Sequence, residues 1–199
     1  MARRSEHSHD ELKALVLQAA ETIIIEDGYA ALNLRTLALD IGYTVGSVYM
    51  VFANRADLLM HINARTLEAL SLAMAQPPKV SGLAAIEALA LAYLSYARQN
   101  FNRWSMVFDP HNVNKAPIPV WYQAKIDRLF AALETQLALL APHTPPAELA
   151  QAVWALGCGI QGVCLLSLKA DSKPAQLKHI ENTLKLLVRN FMCGWTTAT

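Results

Sequence analysis

Charge is scarce in this chain. Asp, Glu, Lys and Arg make up 17% of its 199 residues and leave a formal net charge of +1. That balance excludes the general affinity for polyanions that a strongly basic chain carries. Cysteine is scarcer still: Cys158, Cys164 and Cys193 are odd in number and form no C-x-x-C pair. Neither a disulfide framework nor a zinc site is indicated, and a reduced cytoplasm fits. No HExxH, GxSxG, P-loop or GxGxxG pattern occurs, and the six His (7, 9, 61, 111, 143, 179) are scattered. His143 and His179 lie in or near loops, with no Ser or Cys at a spacing that makes a nucleophile. The chain therefore reads as no enzyme, with no metal and no cofactor. The start, MARRSEHSHDE, has two arginines but no apolar run behind them, which is not a signal peptide. Strand-like alternation and internal repeats are missing too, so the fold class is all-α, with about nine helices.

What the chain does have is apolar surface, 54% of its residues. That is rich for a monomer with so little charge and hints at an extra buried face. The most informative stretch is Asn33 to Leu59, NLRTLALDIGYTVGSVYMVFANRADLL. Asn33 can cap a helix through Ile41, and Gly42 stands where a helix ends with positive φ. Thr44 can cap a second helix, Val45 to Val51, and Asn54 with Asp57 resembles a capping box opening a third at Arg55. Leu37, Ala38, Ile41, Val48 and Val51 supply the apolar faces that lock the first two together. Two short helices joined by a turn with glycine form the helix-turn-helix unit, whose second helix enters the DNA major groove.

From about Ser8 to Leu70 the sequence resembles the DNA-binding head of the TetR/AcrR family of bacterial regulators. The resemblance rests on Gly28-Tyr29, Leu34-Arg35-Thr36-Leu37-Ala38, Gly42, the Gly46-Ser47-Val48-Tyr49 run, Phe52, and Arg55 ahead of Leu58-Leu59. Three positions depart from the usual pattern: Asn33 for Thr, Val51 for His and Arg55 for Lys. The spacing turns Val48 and Val51 inward and leaves Thr44, Val45, Ser47, Tyr49 and Met50 nearer the DNA. Gly46 lets the helix start come close to the sugar-phosphate strand, and Arg35 and Arg55 stand at helix starts. The candidate DNA-binding set is thus Arg35, Thr44, Val45, Gly46, Ser47, Tyr49, Met50 and Arg55. By resemblance, Ser47, Tyr49 and Arg55 fall where family members touch DNA. The charge of this region runs the other way, since residues 1–75 hold six Lys/Arg against nine Asp/Glu. The basic footprint is local, and modest non-specific affinity is the expectation. Arg3 and Arg4 form an arm that could reach a minor groove; His7 and His9 read as a solvated tail rather than a metal arm.

Capping by Ser8 and Glu11 starts a first helix that runs to Gly28. Gln76-Pro77-Pro78-Lys79-Val80-Ser81-Gly82 is the clearest break in the chain. It divides a head, residues 8–70, from a C-terminal effector-binding and dimerisation domain, residues 80–195. In the latter, helices are expected from Leu83 to about Asn100, Val120 to Leu140, Glu148 to Lys169 and Pro174 to about Gly194. Leu149 to Leu168 is uncharged over 20 residues, the length of a membrane span. Its glycines and glutamines, and flanks without a basic cluster, favour a helix buried in a bundle instead. Ala155, Gly159 and Gly162 share one face and would let another helix approach closely. The expectation is a homodimer interface in which this helix and the last one pair with their symmetry mates; close packing within one subunit is the plainer alternative.

Tyr96-Ala97, Trp104, Met106 and Phe108, then Trp154 and Gly159, look like the subgroup of these regulators whose effector domain carries a Trp-His-Gly signature. Cys158 stands where that subgroup has His. Aromatic residues concentrate here, so Phe101, Trp104, Phe108, Trp121, Trp154 and Cys158 are the candidate ligand-binding residues, with Arg103 able to orient a ligand. The family resemblance implies a small, lipophilic or aromatic effector and a palindromic operator. The reading is a sequence-specific, ligand-responsive homodimeric repressor, cytoplasmic and without a membrane. The alternative is a helical small-molecule-binding or protein-interaction module that has lost DNA binding.

Overall fold

A computed structural model describes residues 7–75, 80–108 and 117–198. Among them are nine α-helices and no strand: α1 His9–Asp27, α2 Leu34–Asp40, α3 Val45–Val51, α4 Arg55–Met74, α5 Leu83–Gln99, α6 Phe101–Val107, α7 Val120–Leu140, α8 Pro146–Ser167 and α9 Pro174–Ala198. The all-α expectation holds, and most boundaries fall where local chemistry puts them.

Each of the first four helices starts on a side-chain cap. Ser8 and Glu11 form the full box, Glu11 N donating to Ser8 Oγ at 3.3 Å and Ser8 N to Glu11 Oε2 at 2.7 Å. Asn33 Oδ1 accepts from the amides of Arg35 and Thr36. Thr44 Oγ1 accepts from Ser47 N at 3.2 Å. Asn54 Oδ1 accepts from Asp57 N, while Asp57 reaches back past Asn54 to the amide of Ala53. Each cap satisfies N–H groups that the first helical turn leaves open, typically for about 1 kcal/mol. Gly42 closes α2 at φ 77°, a conformation that other residues rarely adopt.

The helices sort into two compact units. The first holds the described residues up to Thr66 together with those from Asn102 to Ile118; the second holds the described residues from Leu67 to Phe101 and from Pro119 onward. In the first, α1 packs on α2 and α3. Their shared core includes Val16, Ile24, Leu37, Val48, Phe52, Leu58 and Ile62. Met106 of α6, fully buried, belongs to the same core although it lies more than forty residues further along the chain. A fully buried aliphatic side chain contributes roughly 1.5–3 kcal/mol.

Polar contacts reinforce that return of the chain. Glu21 on α1 accepts from Arg65 of α4 at 3.0 Å and from Arg103 of α6 at 2.6 Å. Asn102 donates to the carbonyl of Ile25 at 3.0 Å. In the second unit, α5 packs on α7, α8 and α9, and α8 also packs on α7 and α9. Leu177, Ile180, Leu184, Val188 and Met192 give α9 one buried stripe at helical spacing.

α8 begins at Pro146, two residues earlier than its sequence suggests, because proline is at home where no N–H is needed. It is the one described helix long and apolar enough to cross a membrane by length and composition. Its composition points to burial inside a bundle. In the chain itself one side is buried, through Ala152, Val153, Leu156, Ile160 and Cys164, and the other is open.

Candidate nucleic-acid interface and effector region

Val48 and Val51 turn into the core of the first unit, and Phe52 closes the helix behind them. The opposite side of α3 is left to solvent: Thr44, Val45, Gly46, Tyr49 and Met50 are exposed, with Met50 at 73% and Tyr49 at 51%. Ser47 is half-buried, and its hydroxyl lies 3.1 Å from that of Thr44. These six residues form one contiguous strip that carries hydroxyl, thioether and aliphatic groups and no carboxylate.

Such a strip can meet phosphate oxygens at its N-terminus and base edges along its length. Its lack of acids matters because the head as a whole is acidic. Arg35 is exposed at the start of α2. Arg55 is different: it is half-buried, and its guanidinium donates to the carbonyl of Tyr29 at 2.9 Å. One function of Arg55 is therefore internal, holding the turn after α1 to the start of α4.

Two residues that the sequence assigns to a solvated tail lie against this unit. His7 Nδ1 is 2.6 Å from the hydroxyl of Tyr43, in the turn before α3. His9 Nε2 is 3.2 Å from the carbonyl of Met50, at the far end of α3. Nothing local signals such contacts, because the partners are separated by 36 and 41 residues. No group of three or more His, Cys, Asp or Glu that could hold a metal occurs among the described residues. Arg3 and Arg4 lie outside the described residues.

The six effector candidates are divided between the two units. Trp104, fully buried, stacks edge-on against Phe108 in the first unit, ring centroids 5.8 Å apart. Phe101 falls in the second unit. Trp121 is 40% exposed and rests edge-on against Tyr122. Trp154, 58% exposed, leans on Phe130, and Cys158 is exposed one turn further along α8. Arg103 is committed to Glu21 and to the hydroxyl of Thr66.

The second unit instead holds a cavity of about 610 Å³, lined by α4, α5 and α7. Its walls include Leu72, Met74, Leu89 and Ala132, and its polar groups are Glu68, Ser71, Arg128, Thr135 and Gln136. That volume lies within the roughly 300–1,000 Å³ usual for small-molecule sites. None of the six aromatic and thiol candidates lines it. The sequence draws the eye to aromatic density, whereas this cavity is walled by Leu, Met and Ala that any helical core would also show.

The glycines of α8 divide by neighbour. A Cβ on Gly157 would stand 2.3 Å from the ring of Phe130, and one on Gly159 3.1 Å from Leu187 of α9. Both admit side chains from the same subunit. Gly162 meets nothing within 4 Å, and Ala155 is exposed. With Trp154, Cys158, Leu165 and Leu166 they form an open apolar face, Leu166 being 87% exposed. Cys164, on the buried side, has its thiol pushed up to about 12 by burial. Burial also raises Cys158, though it is far less enclosed.

Two family models match the chain. Residues 16–62 match "Bacterial regulatory proteins, tetR family", and residues 86–191 match "Tetracyclin repressor-like, C-terminal domain". No curated protein sequence matches. Among solved structures, a protein of unknown function from a Rhodococcus species is 18% identical with a TM-score of 0.68, covering 96% of this chain and 98% of that one. PfmR, a regulator from Thermus thermophilus, is 18% identical at TM-score 0.60, covering 87% of this chain and 97% of that one. AibR, crystallised with isovaleryl coenzyme A and operator DNA, is 12% identical at TM-score 0.61, covering 88% and 96%. At these identities the likeness speaks for the fold.

Proposed function

The chain belongs to the TetR family of bacterial transcriptional regulators, and from that membership we propose that it is a cytoplasmic homodimer. In this reading it represses from a palindromic operator until a small effector changes its grip. The observation that carries the DNA-binding part is the strip from Thr44 to Met50, exposed and free of acids while Val48 locks α3 from behind. Thr44, Gly46, Ser47 and Tyr49 are assigned to phosphate and sugar, Val45 and Met50 to base edges, and Arg35 to the flanking backbone. Arg55 contacts DNA, in this assignment, with whatever donors its bond to Tyr29 leaves over.

The open face of α8 supports dimerisation. Six side by side small or apolar groups facing solvent constitute a patch of the kind that marks an interface. Gly162 would let a symmetry mate approach, and Ala155 and Gly159 flank the contact. Trp154, Cys158 and Gly159, the variant of the Trp-His-Gly signature, would then serve this face as much as a ligand. The effector reading moves to the cavity between α4, α5 and α7. Switching needs the ligand to favour one spacing of the two heads, and its leverage equals its differential affinity for the two states. The two recognition helices of a DNA-bound dimer sit about 34–36 Å apart.

The acidic balance of residues 1–75 favours one second reading, a ligand-binding module whose head no longer engages DNA. One experiment separates the two: selection of bound duplexes from a random pool with the full-length protein. A palindromic site should emerge, on which Tyr49→Ala costs about 1.5–3 kcal/mol, the loss of a hydrogen bond to a charged phosphate, and Arg55→Ala lowers the salt slope by about one. Enrichment of no sequence at low ionic strength would overturn the regulator reading.

A further inference from the structure

The chemistry of the α4–α5–α7 cavity points to the kind of molecule it takes. Among its five polar groups, three are already committed. Ser71 Oγ donates to the carbonyl of Leu67 at 2.8 Å, and Thr135 Oγ1 donates to that of Ala131 at 2.8 Å. Glu68 is ion-paired with Lys125, so its negative charge is neutralised within the chain. Arg128 and Gln136 have no hydrogen-bond or ion-pair partner among the described residues, and both line the cavity. The residual charge of the site is thus one positive guanidinium beside an amide. Around it stand Leu72, Met74, Leu89 and Ala132. Leu72 remains 70% exposed at the rim, apolar surface that an occupant would cover.

From this, and resting on the effector reading above, we infer that the ligand is a small molecule with an apolar body and a single anionic head, seated with its head on Arg128. Arg128 is exposed at the mouth of the site, and its guanidinium presents parallel N–H donors that fit a carboxylate in a charge-assisted pairing stronger than a neutral hydrogen bond. A cationic head would face Arg128 with no free carboxylate to offset it, since Glu68 is taken. A neutral polar head would leave the guanidinium without a counter-charge, and would be retained by its apolar body alone.

The test measures binding of decanoate, decanol and decyltrimethylammonium to the full-length protein, for wild type, Arg128→Ala and Arg128→Lys. Decanoate should bind wild type at least about tenfold more tightly than either of the others. Arg128→Ala should erase that preference while leaving decanol affinity unchanged, and Arg128→Lys should restore part of it. Equal affinity for the three probes, preference for the ammonium, a preference for decanoate that survives in Arg128→Ala, or no binding of any probe overturns the inference. The same titrations repeated on protein bound to a selected duplex keep the two readings apart. Decanoate that binds through Arg128 but leaves DNA affinity unchanged would uphold the ligand class and sink the effector reading. Unliganded protein that holds its duplex but shows no preference for the anion would sink the ligand class and leave the DNA-binding reading standing.

Discussion

His61 shows how a single side chain ties the head's packing to acidity. It is half-buried against the edge of Phe52, with ring centroids 5.5 Å apart. Burial lowers its pKa, nearby Lys13 and Arg65 push the same way, and Asp57, 3.8 Å off, opposes them. The unfolded chain protonates this imidazole near pH 6.5, at about the free value, whereas the folded chain resists until lower pH. Between those two values the unfolded state binds more protons, so stability is full above the window and declines as pH falls through it. His61→Gln should therefore flatten part of the acid limb. The measurement is the urea midpoint of wild type and variant from about pH 7.5 down to 5.5. Parallel curves would mean that His61 contributes nothing to the loss.

At the scale of elements, the glycines of α8 make opposite forecasts. Glycine in a helix costs roughly 1 kcal/mol relative to alanine, so a substitution gains that much wherever there is room. Gly157→Ala has none: its new carbon would enter the ring of Phe130. The variant should lose about 1–3 kcal/mol by overpacking. Gly162→Ala meets open space within the subunit. It should leave the isolated fold as stable or more so while weakening the dimer, a combination that thermal melts and sedimentation at several concentrations would resolve. A dimer undisturbed by Gly162→Ala would place the interface elsewhere.

The same elements show what could be read ahead of the structure. Caps such as Ser8, Asn33, Thr44 and Asn54 act over three residues, so the sequence displays them directly, and the buried pair Val48 and Val51 follows from helical period. Gly157 against Phe130, Glu21 against Arg103 and Met106 in the head's core are long-range meetings. They leave no trace in spacing. The aromatic set is divided for a related reason: neighbours along the chain can belong to different compact units. Trp104 and Trp121 are seventeen positions apart, yet they fall in different units.

For the molecule as a whole, two of the three thiols report on assembly. Cys164 is buried with a thiol pushed up to about 12, so it should react only on unfolding. Cys158 is exposed in the single chain but lies on the open face of α8. If that face pairs with its twin, Cys158 should label slowly in concentrated protein and several-fold faster once Leu166→Glu drives the subunits apart. Mass spectrometry of the modified peptides reads both rates. Equal labelling in wild-type dimer and variant would rule this face out.

The return of α6 into the head has a bearing on how such proteins can be recombined. Met106 fills space among residues from α1 to α4, and Arg103 and Asn102 hold α1 at Glu21 and Ile25. The half that carries α3 is thus written in two separate passages of the gene. A chimera cut once after α4 would receive a head with an unfilled hollow and a carboxylate short of one of its two arginines. Any exchange of specificity between relatives would need to transplant both passages together.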